Sequence, residues 1–243
     1  MSNFFKYFPV INYKFGTNED ADLFENISIY SNIVDQVVNN VASYQDYYLL
    51  PGERPDQVSQ KFYNTPKYHW TFFLMNDTIR ETGWPLSPQQ LREEAEKRYS
   101  TRVITTRTKL TDKFKVGQTI NGTSSAATAV ILQRKLDLGQ LFLKDVSGTF
   151  VAGENVNSTN SDGNIEVIDV TSFEFQYNAA HHYVNGSGVT TDIDPEVGPG
   201  AQLTEVTFLE RLEQINDAKR EMKIIKPSII NEVVRSFRDA VQA

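Results

Sequence analysis

The stretch YYLLPGERPDQVSQKFYNTPKYHWTFFLMND runs from Tyr47 to Asp77 and decides how the rest of the chain is read. Tyr47-Tyr48-Leu49-Leu50 is a short aromatic and aliphatic run that suits a strand. Pro51-Gly52 breaks it with a turn. Pro55 fits the first position of a helix, where a missing N–H costs nothing, and Val58 and Phe62 follow one turn apart on one face. Thr65-Pro66 is a second start of the same kind, with Thr65 as the cap. Trp70, Phe73 and Leu74 give that second helix its apolar face, and Asn76-Asp77 suits a helix end or turn.

Upstream, residues 1–26 read as an extended aromatic arm. Phe4, Phe5, Tyr7, Phe8, Ile11, Tyr13 and Phe15 crowd it without a helical period. Such a segment cannot bury its own rings, so it is expected to lie across its own domain or a neighbour. From Ile27 to Tyr44, Ile29, Ile33, Val37 and Val41 recur every four residues, with Val34 and Val38 widening the stripe, which predicts a helix. Downstream, GWPLSP (Gly83–Pro88) reads as a loop with a short extended piece. Ser87-Pro88-Gln89-Gln90 has the spacing of a capping box, and the helix it opens carries Leu91, Ala95 and Tyr99 on one face.

The character changes over residues 101–172, where Thr, Ser, Gly and Asn dominate and RVITTRTKL alternates like a strand. FKVGQTINGT (Phe114–Thr123) is echoed by FVAGENVNST (Phe150–Thr159), matching Phe114 with Phe150, Gly117 with Gly153, Ile120 with Val156 and Thr123 with Thr159. This predicts an inserted small all-β domain, a barrel or sandwich of five to seven strands built from two similar halves. Residues 173–202 start as a strand and are then so rich in Gly, Pro, Asn, Asp and Ser that they read as a long loop. In residues 203–243, Phe208, Leu212, Ile215 and Met222 form one helical stripe. Lys226-Pro227 breaks it, because the residue before proline avoids helix. Ile230, Val233, Val234, Phe237 and Val241 form a second stripe. These two C-terminal helices, with no obvious β partner, suit packing on the Ile29–Val41 helix or on another subunit. The fold class is α+β.

Composition narrows the function. A net charge of -7, from 24 basic and 31 acidic residues, argues against nucleic acid as the main partner, because phosphate binding needs a basic face. The absence of cysteine excludes disulfides, thiol catalysis and Cys-based zinc sites. No apolar run is long enough for a membrane span, and the first residues lack the apolar core of a signal peptide. His181-His182 is the only histidine pair, and neighbours on a strand point to opposite faces, so it does not read as a metal site. His69 beside Trp70 reads as part of a helix face. There is no G-x-S-x-G, no phosphate-binding glycine loop, and DIDPE (Asp192–Glu196) lacks the fixed glycine and distal glutamate of a calcium loop. No catalytic residue, metal ligand or cofactor is assigned.

The strand, Pro-Gly turn, two short helices and Asn76 together resemble a LysM module, a βααβ unit. Glu53-Arg54 stands where that family usually has Asp-Thr after Pro-Gly, and the helices are unusually aromatic at Tyr68, Trp70, Phe72 and Phe73. More narrowly, the phrase from Glu53 to Tyr99 is similar to the LysM-like wedge subunit of contractile-tailed phage baseplates. It shares R-P-D-x-V, F-Y-x-T-P-x-x-x-W and the Asn-Asp before Gly-Trp, and further on the K-I-I-K-P phrase before the last helix. The resemblance implies a structural subunit in the virion's tail baseplate, assembled in the host cytoplasm. It would bind other wedge and tail proteins and help join wedges into a ring around the hub, without nucleic acid, membrane or cofactor. The alternative is a peptidoglycan-binding LysM module of a cell-wall-targeted protein. The departures at Glu53-Arg54 and in the helices speak against a glycan ligand.

The expected organisation is an arm at 1–26, a helix plus the LysM-like domain at 27–100, the β insert at 101–172, a loop at 173–202 and C-terminal helices at 203–243. Three partner-binding regions are expected. The arm supplies Phe4, Phe5, Tyr7, Phe8, Tyr13 and Phe15. The LysM-like surface supplies Pro51, Gly52, Trp70, Asn76 and Trp84. The C-terminal helix face supplies Phe208, Leu212, Ile230 and Phe237. Trp84, between Gly83 and Pro85, reads equally as an anchor for a partner or as a plug under the unit.

Overall fold

The computed structural model describes residues 8–14, 22–26 and 44–242. In chain order the elements are β1 (Val10–Tyr13), β2 (Asp22–Glu25), β3 (Tyr44–Tyr48), α1 (Pro55–Tyr63), α2 (Trp70–Met75), α3 (Asp77–Thr82) and α4 (Pro88–Arg98). There follow β4 (Arg102–Thr105), β5 (Thr119–Gly122), β6 (Thr128–Lys135), β7 (Gln140–Ser147), β8 (Asn155–Thr159), β9 (Ile165–Asp169) and β10 (Ser172–Phe175). The last are β11 (Ala180–Val184), β12 (Thr190–Thr191), β13 (Thr204–Thr207), α5 (Phe208–Ala218), β14 (Glu221–Ile225) and α6 (Ile230–Gln242). Helices and strands mix along the chain, an α+β protein. Two compact units result: a split unit of residues 1–88 with 216–243, and a β-rich unit of residues 89–215.

In the split unit the local signals act as the sequence dictates. Gly52 takes φ +81°, a value that favours glycine, and the turn closes through the Glu53 N–H to the Leu50 carbonyl at 3.2 Å. Pro55 opens α1, where the Gln57 side chain accepts the Arg54 N–H at 3.0 Å. Thr65 caps a single tight turn at Pro66–Tyr68 before α2 begins at Trp70. Asn76 ends α2, and Asp77 starts a further short helix, α3, which Gly83 stops at φ +84°.

The Gly83–Pro88 segment carries no strand, and β3 pairs with β14, antiparallel from Tyr48↔Glu221 to Tyr44↔Ile225. Two C-terminal helices are present, α5 and α6, and each is preceded by a strand that the sequence reading left out, TEVT (β13) or EMKII (β14). Met222 belongs to β14, not to a helical stripe. Its alternation spans only a few residues, too short to stand out against the helical pattern beside it.

Two apolar clusters follow from this pairing. Leu49, Val58, Phe72, Ile79, Met222 and Ile224 form one. In the other, the α6 stripe of Ile230, Val233, Val234, Phe237 and Val241 packs on Leu74, Met75, Ile225 and Phe8. Five such residues taken from water contribute on the order of 10 kcal/mol before entropy is counted. The Ile29–Val41 helix expected against them lies outside the described residues.

The β-rich unit holds an antiparallel sheet in the order β10-β4-β7-β6-β5-β8-β9. Only Val170 and Thr171 separate β9 from β10. The Val170 N–H bonds the Glu154 carbonyl and the Thr171 N–H bonds the Thr105 carbonyl, so the two edges of the sheet are continuous in the chain. Ile104, Phe114, Ile120, Ile131, Leu141, Phe150, Val156 and Ile168 fill its core.

The sequence echo has a geometric counterpart. Strands β5 and β8, one from each copy, pair with Ile120 opposite Ser158, Asn121 opposite Asn157 and Gly122 opposite Val156. Asn121 and Asn157 are equivalent positions of the two copies, so a local two-fold axis passes between them. Gly117 and Gly153 both take positive φ, and Gln118 and Glu154 each accept the N–H three residues back, from Lys115 and Val151.

The long loop expected at 173–202 is also corrected. It carries the rest of β10, then β11 and β12, and β11 is the middle strand of a three-stranded sheet with β12 and β13. Asn185 supplies the intervening turn, its carboxamide oxygen accepting the N–H groups of Ser187 and Val189. The turn residues made the composition look like a loop while the short strands between them kept their pairing.

Candidate partner-binding surfaces

The Pro-Gly turn is exposed at Pro51 and Gly52 and is held from behind by Glu53. The Glu53 carboxylate accepts the Tyr47 hydroxyl at 2.5 Å, the Leu50 N–H at 3.0 Å and the Lys61 ammonium at 3.2 Å. Burial works against the Glu53 charge, but the Tyr47 hydroxyl, the Leu50 N–H and Lys61 outweigh it and lower its pKa. Burial and the adjacent Glu53 raise that of Tyr47. The Glu-Arg pair after Pro-Gly thus braces the turn.

Trp84 packs within the split unit. It is half-buried, its indole N–H donates to the Glu53 carbonyl at 2.7 Å, and its ring lies against Phe72 and Phe73 with centroids 5.9 Å away in each case. Asn76 is an internal staple. Its amide donates to the carbonyls of Phe72 and Lys223, and its oxygen accepts the Lys223 N–H, all at 2.8 Å. Together with the Tyr63 hydroxyl on the Ile225 carbonyl at 2.9 Å, it occupies the outer edge of β14. A second asparagine does the same elsewhere. Asn216 bonds both the N–H and the carbonyl of Leu86, at 2.8 and 3.0 Å, tying the point where the chain leaves the split unit to the point where it returns.

The remaining expected residues divide between core and surface. Trp70 packs on Phe237 with ring centroids 4.6 Å apart, and Ile230 and Phe237 are buried. Phe208 is buried against Tyr99, Phe142 and His181, and Leu212 is half-buried. Phe8 is buried against α2 and α6. Phe4, Phe5, Tyr7 and Phe15 lie outside the described residues. Of the arm, the β1–β2 hairpin remains, paired from Val10↔Glu25 to Tyr13↔Asp22. It presents Leu23 at 72%, Val10 at 61% and Tyr13 at 52% exposure, with Ile11 and Phe24 also exposed. Leu23 and Phe24 were not among the expected contacts, although the apolar pair stands out between Asp22 and Glu25.

A second exposed set lies on the open face of the β3–β14 sheet. Tyr44 and Tyr48 are exposed there, with the Lys223 ammonium 4.7 Å from the Tyr44 ring and the Arg220 guanidinium 5.1 Å from that of Tyr48. Beside it runs a polar groove of about 470 Å³ lined by Asp46, Asn76, Asp77, Lys219, Glu221 and Lys223. Among the described residues no group of three or more metal-ligating side chains converges, and no helix is long and apolar enough to cross a membrane.

Residues 3–107, a little under half of the chain, match the family model described as base plate wedge protein 53. No curated protein matches the chain. The matched stretch takes in the hairpin, β3 and α1 to α4. It leaves out residues 216–243, which supply the second strand of the split unit's sheet and much of its core. On this match residues 3–107 are similar to a phage baseplate wedge protein.

Proposed function

We propose that this chain is a structural wedge protein of a phage tail baseplate, that it binds the other wedge and tail proteins through the β1–β2 hairpin and the open face of the β3–β14 sheet, and that it helps join neighbouring wedges into a ring around the hub. The observation that carries this is the hairpin's apolar exposure, inside the stretch that matches the wedge family. Exposed apolar residues clustered on one small element suit a protein partner, because contact removes them from water. Assembly takes place in the host cytoplasm. The role is structural, with no catalysis.

The order β3-α1-α2, with β14 returning much later in the chain to pair antiparallel with β3, supports a LysM-like reading of the split unit. The β-rich unit then stands as an insert between its second helix and second strand. Trp84 against the Pro-Gly turn and the internally bonded Asn76 leave two of the expected contact residues committed to the fold, which favours a protein ligand over a glycan.

The test is co-expression with the other tail proteins followed by size-exclusion chromatography with mass determination. A stoichiometric complex is expected for the native chain, and its loss on Leu23→Asp together with Val10→Asp, with the tryptophan emission of the split unit unchanged. A chain that elutes alone and pellets with peptidoglycan refutes the reading.

A further inference from the structure

His181 and His182 are neighbours in β11, and an unbroken strand would send them to opposite faces. The pairing with β13 shifts register between Ala180 and His182, so His181 is an extra, bulged residue. The bulge turns both rings to one side. Their Nδ1 atoms meet at 2.9 Å, with the rings nearly perpendicular at 86°. Behind them lies Phe208, the first residue of α5, whose ring the His181 ring meets edge-on with centroids 4.9 Å apart. The Lys135 ammonium, at the end of β6, sits 4.7 Å from the same ring. The charged side chains acting on the pair are Lys135 and, from α5, Arg211, both cationic.

A hydrogen bond between two imidazole nitrogens needs one N–H and one lone pair. One ring therefore carries its proton on Nδ1 and the other on Nε2. A first added proton can go to the Nε2 of the donor ring and leave the bond intact. A second must go onto the accepting Nδ1, which then faces another N–H at 2.9 Å. We propose that His181 and His182 form a proton-operated latch on β11: with at most one added proton they lock the bulge against Phe208, and with two they separate and release it.

The surroundings oppose the second proton. Burial first, and then the positive charges of Lys135 and Arg211 together with the His182 ring, lower the His181 pKa. Burial and Arg211 lower that of His182. The folded protein therefore binds fewer protons here than the unfolded chain. The contribution to stability is intact above about pH 6.5, the ordinary histidine value, and is lost as pH falls through the folded values below it.

The test is a side-chain NMR titration of the two histidines in the full chain from pH 8 to 4.5, with thermal melts at pH 7.5 and 5.0. At pH 7.5 one ring should be the Nδ1–H tautomer and the other the Nε2–H tautomer, and the two should titrate in separate steps, both below about 6.5. The His182→Asn variant keeps a donor and an acceptor near the same place but cannot take up the second proton. It should lose less of its melting temperature between pH 7.5 and 5.0 than the native chain. Joint titration near 6.5, or an equal acid loss in the variant, overturns the latch. If the variant does not fold, the titration of the native chain decides alone.

Discussion

Replacing Asn76 by alanine removes three hydrogen bonds at once, two of them to the backbone of β14 at Lys223 and one to the Phe72 carbonyl. A hydrogen bond of this kind contributes about 1 kcal/mol net, and more where the partner is left without a replacement. The Lys223 groups sit near solvent and regain water in part, while the Phe72 carbonyl is half-buried. The expected loss is therefore about 2–3 kcal/mol, concentrated where β14 docks. Both tryptophans, Trp70 and Trp84, belong to the split unit, so urea unfolding followed by tryptophan emission reports that unit separately. The midpoint should fall with an unchanged slope, because the same surface is exposed on unfolding. The circular dichroism of the β-rich unit should hold at urea concentrations where the tryptophan signal is already lost. A change below about 0.5 kcal/mol, within the range of an ordinary surface substitution, would refute the staple.

Other substitutions address the remaining features. Trp84→Phe keeps an aromatic plug but loses the bond to the Glu53 carbonyl, and should cost about 1 kcal/mol in the same urea titration. Trp84→Ala also opens a cavity beside Phe72 and Phe73 and should cost about 3 kcal/mol or more. Asn216→Ala frees both polar groups of the Leu86 backbone and should cost about 2 kcal/mol by the same assay. Burial tends to raise the Glu154 carboxyl, but the N–H groups of Val151 and Ser125, the Ser125 hydroxyl and the Ser124 N–H outweigh it and hold it at about 2. Its folded value thus lies below its unfolded one, so its contribution is present above about pH 4.5 and is lost as pH falls toward 2. Glu154→Gln should lower the melting temperature of the β-rich unit at pH 7 and flatten its acid dependence. Gly122→Ala should also unfold that unit earlier in thermal melts, because a Cβ there would meet the Ser125 hydroxyl and come within 2.8 Å of the Glu154 carboxylate.

What the sequence made legible was local. Pro51-Gly52, Pro55 and Thr65-Pro66 set the turn and helix starts through short-range geometry that any context preserves. The echo of Phe114–Thr123 in Phe150–Thr159 was visible because equivalent glycines and buried residues must recur at equivalent places. The β3–β14 pairing was not legible, because nothing in YQDYY or EMKII names a partner so far along the chain. The roles of Trp84 and Asn76 were open for the same reason. A loop tryptophan and a helix-end asparagine look alike whether they meet a neighbour or their own chain. The adjacent histidines misled by a single inserted residue, since alternation along a strand holds only while the register does.

The split unit also sets a timetable for synthesis. Arg220, whose guanidinium and carbonyl both bond the backbone of Leu49, follows it by 171 residues. At roughly 5–20 residues per second, a ribosome takes on the order of 10–30 s to deliver β14 after β3 has emerged. Throughout that interval the segment from β3 to α3 is on the ribosome without its second strand or α6, and Phe72, Leu74 and Met75 lack much of their cover. The β-rich unit, made in between, can complete its sheet first from its own residues. The growing chain is then exposed to chaperones and to premature association at that segment, and the last stretch to emerge ends that exposure.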